Sequence, residues 1–139
     1  MQALAIGRNW RASFACSLVL LAVLWYAGRP GDTHGYKVTH VSLAETIALI
    51  DAGALVIDVR EAPRTTLPGA VMIPVEVLAA RLASMEVAKT QPIVVYCGEG
   101  SNLGPRAADT LSQAGYTQVA NLQSGIEGWR RAGLPVNPA

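Results

Sequence analysis

Cys97 closes an apolar run, "PIVVYC", and "GEGSNLG" follows it at residues 98 to 104, with three glycines among seven positions. A cysteine reacts as its thiolate, and a free thiol titrates at about 8.5, so reaction at neutral pH needs positive potential nearby. Glycines let backbone amides turn toward one point and form an anion-binding nest. Pro105 suits a first helical position, and a helix from Pro105 to Gly115 would add the positive end of its dipole. Cys97, Gly98, Glu99, Gly100, Ser101, Asn102, Leu103 and Gly104 thus form a candidate nucleophile with its anion cradle. A buried structural thiol beside a flexible turn is the competing interpretation.

The elements around this stretch must hold Cys97 at a strand end. "YKVTHV" at 36 to 41 alternates as a strand does, and Ser42 with Glu45 has capping-box spacing before a helix that Gly53 stops. "LVIDV" at 55 to 59 is a continuous apolar run ending near Asp58, suited to a strand covered on both faces. A short strand in "GAVMIP", a helix through "EVLAARLASM", the strand "PIVVYC", a strand in "QVANL" and a closing helix in "IEGWRRAG" complete the series. Strands alternating with helices predict an α/β domain with a largely parallel sheet. Ligands of such sheets bind beyond the carboxyl ends of the strands, where Asp58 and Cys97 both stand.

The chain has 139 residues and a net charge of +1, with acids and bases interspersed, so it carries no electrostatic footprint for nucleic acid. Its hydrophobic excess sits at one end: residues 12 to 28, "ASFACSLVLLAVLWYAG", contain no charge. That length is at the short limit for a bilayer core of about 30 Å. Arg8 and Arg11 precede it and Trp25 and Tyr26 end it, as in a signal anchor with its N-terminus in the cytoplasm. A cleaved signal peptide fits less well, because Trp25 would fall three residues before the cut after Ala27. A core helix would need polar positions at helical period. The expected organisation is an anchor over 1–28, a Pro/Gly-rich linker over 29–37 and a domain over 38–137. It places a single-pass protein in a bacterial-type inner membrane with its domain on the periplasmic side. Of the two cysteines, Cys16 falls inside the apolar segment, so the domain holds one thiol and forms no internal disulfide.

The ordered segments "VIDVR" (56–60), "LPGAVMIP" (67–74), "IVVYCGEGSN" (93–102), "AADTLSQAGYTQVANL" (107–122) and "GIEGWRRAGLPV" (125–136) resemble the rhodanese family in order and spacing, from about Val38 to Val136. The resemblance implies an α/β fold in which Cys97 carries a persulfide. It takes sulfur from a small anionic donor such as thiosulfate and passes it to a thiol or cyanide-like acceptor. It implies no metal or organic cofactor, and it names no protein partner. Asp58 and Arg60 match the family's Asp-x-Arg and would orient the site from behind, or form a buried structural pair.

The loop also departs from the family pattern. Active rhodaneses carry a loop Arg where Asn102 stands here, and the loop is about one residue longer than their six-residue cradle. Related phosphatases of the Cys-x5-Arg type need an Arg where Leu103 stands, so a bidentate phosphate clamp is missing. Arg106 is a candidate to reach back across the mouth, and Arg64 reads as an exposed loop charge. The segment between Arg60 and Pro68 is about three residues shorter than in the family. The missing Arg keeps a second hypothesis open, a non-catalytic binding or redox-sensing module at the membrane. His34 and His40 lack partners at metal spacing, Trp129 reads as core, and Ser101 and Ser124 have no histidine base.

Overall fold

A computed structural model of the chain describes residues 31–33 and 36–139. The apolar segment 12–28, with Cys16, lies outside the described residues, as does His34. No helix among the described residues is long and apolar enough to cross a membrane.

The chain runs β1 (Gly31–Thr33), β2 (Tyr36–Val41), α1 (Leu43–Asp51), β3 (Leu55–Asp58), β4 (Thr65–Thr66), β5 (Val71–Met72), a 3₁₀ turn (Val75–Val77), α2 (Leu78–Ser84), β6 (Ile93–Tyr96), α3 (Leu103–Gln113), β7 (Val119–Leu122), α4 (Gly125–Arg131) and β8 (Asn137–Pro138). The main sheet has the order β1-β2-β7-β6-β3-β5. Its β2, β7, β6, β3 and β5 pair in parallel, and β1 joins antiparallel. This is the α/β fold expected from the alternation of strands and helices.

β6 lies between β7 and β3, and all four of its residues are buried. Its side chains alternate between two cores. Val95 and Cys97 pack with Ile57, Val59, Leu78, Leu82, Ala108 and Leu111 on one face of the sheet. Val94 and Tyr96 pack with Val41, Val56, Leu67, Ile126 and Trp129 on the other. Helix covers both faces, which is why the strand reads as an unbroken apolar run. Trp129 belongs to the second core, as its sequence context predicts, and its indole N–H donates to the Pro135 carbonyl at 2.8 Å.

The capping box at α1 forms as the Ser42/Glu45 spacing predicts: Ser42 Oγ accepts from the Glu45 amide at 3.2 Å, and Glu45 Oε2 accepts from the Ser42 amide at 2.9 Å. Such a cap stabilises a helix by about 1 kcal/mol.

Three local expectations need correction. Gly31–Thr33, in the stretch expected as linker, forms β1 and pairs with Tyr36–Val38, so hydrogen bonding to β2 takes this backbone into the sheet. Thr65–Thr66, in the segment expected as a loop, pairs with Asn137–Pro138 in a two-residue antiparallel ladder. α3 begins at Leu103, two residues before Pro105. Pro105 is tolerated there because first-turn amides have no intrahelical acceptor for the missing N–H to have served.

Candidate active site

Cys97 follows directly on β6, and the residue is 5% exposed. The Gly100 amide donates to Cys97 Sγ at 3.2 Å. The backbone of Gly100 has φ +78°, and a Cβ there would lie 2.1 Å from the Gln123 carbonyl oxygen. A glycine is therefore required for the loop to turn this amide onto the sulfur. At the far end of the loop, a Cβ on Gly104 would come 3.5 Å from Cys97 Sγ. The first turn of α3 is thus packed against the sulfur, and its dipole presents positive potential there.

The carbonyl side of the same segment is held by α4. The Ile126 amide donates to Cys97 O and the Glu127 amide to Gly98 O, each at 3.0 Å. Gly125 has φ +56°, and a Cβ on it would fall 2.2 Å from Gly98 O. Carbonyls bound to α4 and an amide turned onto Sγ fix the three successive peptide planes that follow the nucleophile.

The remaining loop residues divide by exposure. Gly98 is half-buried, Gly100 and Gly104 are buried, and Leu103 is half-buried against the core of Cys97. Glu99, Ser101 and Asn102 are exposed. Asn102 is the N-cap of α3 without a side-chain capping bond, and its carbonyl accepts from the Arg106 amide at 3.2 Å. On the outer side of the loop, Glu99, Gln123, Ser124, Glu127, Arg131 and Ser42 line an open depression of about 790 Å³.

Arg106 does not reach across the mouth. Its guanidinium pairs with Glu76 at 3.3 Å, both groups about half exposed. Arg64 is exposed, and its carbonyl accepts from the Ala139 amide.

Asp58 and Arg60 form a pair on the opposite face from the sulfur. Arg60 Nε and Nη2 donate to Asp58 Oδ1 and Oδ2 at 2.9 and 2.7 Å, and Nη2 also donates to Thr65 O at 2.7 Å. Asp58 is fully buried and lies in register with Tyr96. Arg60 sits 6.0 Å from the Tyr96 ring centroid. The hydrogen bond to Asp58 raises the Arg60 pKa, and burial raises that of Tyr96, so this cluster stays a salt bridge beside a neutral phenol. Tyr96 Oη accepts from the Leu67 amide at 3.0 Å. Asp58 and Arg60 thus fasten the 60–67 segment to the sheet. Since Tyr96 and Cys97 are consecutive strand residues, their side chains point to opposite faces.

The sequence assigns no site role to two residues linked by hydrogen bonds to the loop, Asn121 and His40. Asn121 of β7 is fully buried, and its Nδ2 donates to the Gly100 carbonyl at 2.9 Å. The same Nδ2 is 3.1 Å from His40 Nδ1 of β2. A carbonyl faces the amide nitrogen, so His40 Nδ1 is the acceptor and the ring proton sits on Nε2. Burial lowers the His40 pKa, which favours this neutral ring. A polar residue inside the otherwise apolar "VANL" strand was the available signal.

Comparison with known proteins agrees with this architecture. The family model described as "Rhodanese-like domain" matches residues 42–132. A protein of Allochromatium vinosum named "Sulfurtransferase" is 34% identical over 103 residues, covering 72% of this chain and 92% of that protein. The uncharacterized protein YibN of Escherichia coli K12 is 29% identical over 136 residues, covering 94% of this chain and 92% of YibN. Among solved structures, the Rhodanese_3-like domain of the Anabaena Alr3790 protein superposes with a TM-score of 0.55 at 29% identity. It covers 61% of this chain and 99% of that domain. With a match across most of the ordered sheet and through the Cys97 loop, the chain belongs to the rhodanese-like domain family.

Proposed function

We propose that the protein is a sulfurtransferase in which Cys97 carries the transferred sulfur as a persulfide. The observation that supports this best is the Gly100 amide 3.2 Å from a nearly buried Cys97 Sγ at the carboxyl end of the central strand. In the first half-reaction the thiolate attacks the outer sulfur of a donor such as thiosulfate. An S–S bond forms at Sγ, the donor's S–S bond breaks, and sulfite leaves with the electron pair. In the second, an acceptor such as cyanide or a thiolate attacks the terminal sulfur and restores the Cys97 thiolate. This is covalent, two-step catalysis. The persulfide bears negative charge, which the Gly100 amide and the first turn of α3 are placed to stabilise without a metal, as an oxyanion hole does for oxygen.

The apolar segment 12–28 and its basic flank support a membrane-anchored, periplasm-facing placement, which protease accessibility of the domain in spheroplasts tests. A second reading is a rhodanese-like module that binds a sulfur species or a partner without turnover. It draws on Asn102 and Leu103 standing where an anion-clamping Arg would be, and on Arg106 being engaged with Glu76. Thiocyanate production from thiosulfate and cyanide by the full-length protein separates the two. The sulfurtransferase reading expects turnover that Cys97→Ser abolishes, while absence of turnover with every sulfane donor favours the binding module.

A further inference from the structure

Asn121 makes a set of contacts that links the sheet to both ends of the Cys97 loop. At the near end, Nδ2 donates to Gly100 O at 2.9 Å, and the amide of that same Gly100 donates to Cys97 Sγ at 3.2 Å. At the far end, Oδ1 is buried without a hydrogen-bond partner among the described residues. A Cβ on Gly104 would lie 2.0 Å from that oxygen and 3.5 Å from the sulfur, so Oδ1 rests against the backbone of Gly104 in the first turn of α3. His40 Nδ1, 3.1 Å from Nδ2, takes the second amide hydrogen and fixes the plane of the group.

A fully buried amide carrying an orphaned oxygen is costly in a strand that could have held a valine or leucine at no such cost. Stability does not account for it. The geometry points to Asn121 as a positioning residue for sulfur transfer: it holds Gly100 so that the amide is aimed at the Cys97 sulfur, and it seats the start of α3 against the same atom. Asn121 acts through Gly100 and Gly104 and touches no reacting atom in this arrangement. Three positions fit one another as a consequence. Gly100 must turn through positive φ, Gly104 must lack a side chain, and residue 121 must offer an N–H donor with a flat oxygen behind it. An aspartate fills the space but offers no donor to Gly100 O, and a leucine offers neither group.

The kinetic arm of the test rests on the persulfide reading of Cys97, while the spectroscopic arm does not. In full-length Asn121→Leu and Asn121→Asp, amide hydrogen exchange of Gly100 is compared with that of Val94 and Val95 in β6. Losing one buried hydrogen bond corresponds to about tenfold. The expected result is a rise of about tenfold or more at Gly100 beyond any change shared by the β6 amides. The rate of persulfide loading at Cys97 falls by a similar factor, with the donor concentration for half-maximal rate little changed. Equal changes at Gly100 and the β6 amides would overturn the inference, because a purely structural asparagine loosens the whole sheet. If a variant fails to fold, Gly104→Ala, which drives a Cβ into Oδ1, gives the same Gly100-selective readout. If the wild-type protein never loads sulfur, the sulfurtransferase reading falls while the exchange at Gly100 still decides the role of Asn121.

Discussion

Gly125 holds its backbone in the left-handed region so that the Cys97 and Gly98 carbonyls can reach the Ile126 and Glu127 amides at 3.0 Å. The relationship between Gly125 and Gly98 is a close backbone approach: a Cβ on the former would overlap the latter's oxygen at 2.2 Å. Gly125→Ala combines left-handed strain with this overlap and is expected to destabilise by at least about 2 kcal/mol. Gly53→Ala has positive φ with open space around it and is expected to cost about 1 kcal/mol. Urea unfolding of the two variants checks the ordering, and sulfur loading falls in the first and not in the second.

Arg60 fastens a fully buried carboxylate on the face of the sheet away from the sulfur. Arg60→Met leaves Asp58 buried without its partner and is expected to destabilise by about 3–5 kcal/mol. Well below the melting transition, the folded variant should load sulfur at Cys97 within about twofold of wild type (about 0.4 kcal/mol), because the pair lies on the face of the sheet away from the sulfur. Thermal melts and loading rates measured on the same sample check both halves. A large loss of loading at full folding would return Asp58 and Arg60 to the site.

Arg106 and Glu76 form an exposed pair at 3.3 Å. Exposed pairs contribute about 0.2–1 kcal/mol, so Arg106→Ala should barely move the urea midpoint. It should also leave thiosulfate loading near the wild-type rate, because the guanidinium is turned toward Glu76 rather than the loop.

His40 accepts from Asn121 through Nδ1, and burial lowers its pKa below 6.5. The folded state therefore favours the neutral ring. Its contribution to stability is full above the unfolded pKa of about 6.5 and is lost as pH falls through the lower folded value. Protonation would place a hydrogen on Nδ1 facing the Asn121 N–H, and the amide clamp on Gly100 would loosen. His40→Gln keeps a side-chain acceptor but does not titrate. The drop in urea midpoint between pH 7.5 and pH 5.5 should be smaller in that variant than in wild type.

Much of this arrangement is legible in the sequence. The apolar run ending at Cys97, the glycines after it and the later helix imply a strand end, a backbone cradle and a dipole, because each follows from local propensity. The two-faced burial of β6 follows from its unbroken apolar composition. The true start of α3 is not legible: Gly104 is a poor helix former in what becomes the first turn, Pro105 is the stronger local start signal, and Asn102 caps without its side chain. The side of the sheet taken by Asp58 depends on its register with Tyr96, which pairing decides and no local pattern records. Asn121 is visible as a polar residue in an apolar strand, but its partners Gly100 and His40 come from distant elements. β4 and β8 are too short for any period to register.

The central claim is that Cys97 carries the sulfur, and intact-protein mass spectrometry tests it most directly. After incubation with thiosulfate and removal of excess donor, the wild-type protein is predicted to gain the mass of one sulfur atom, released by dithiothreitol, while Cys97→Ser gains none. A wild-type protein that stays at its unmodified mass with thiosulfate and with organic persulfide donors alike would contradict the account, as would an adduct retained in Cys97→Ser.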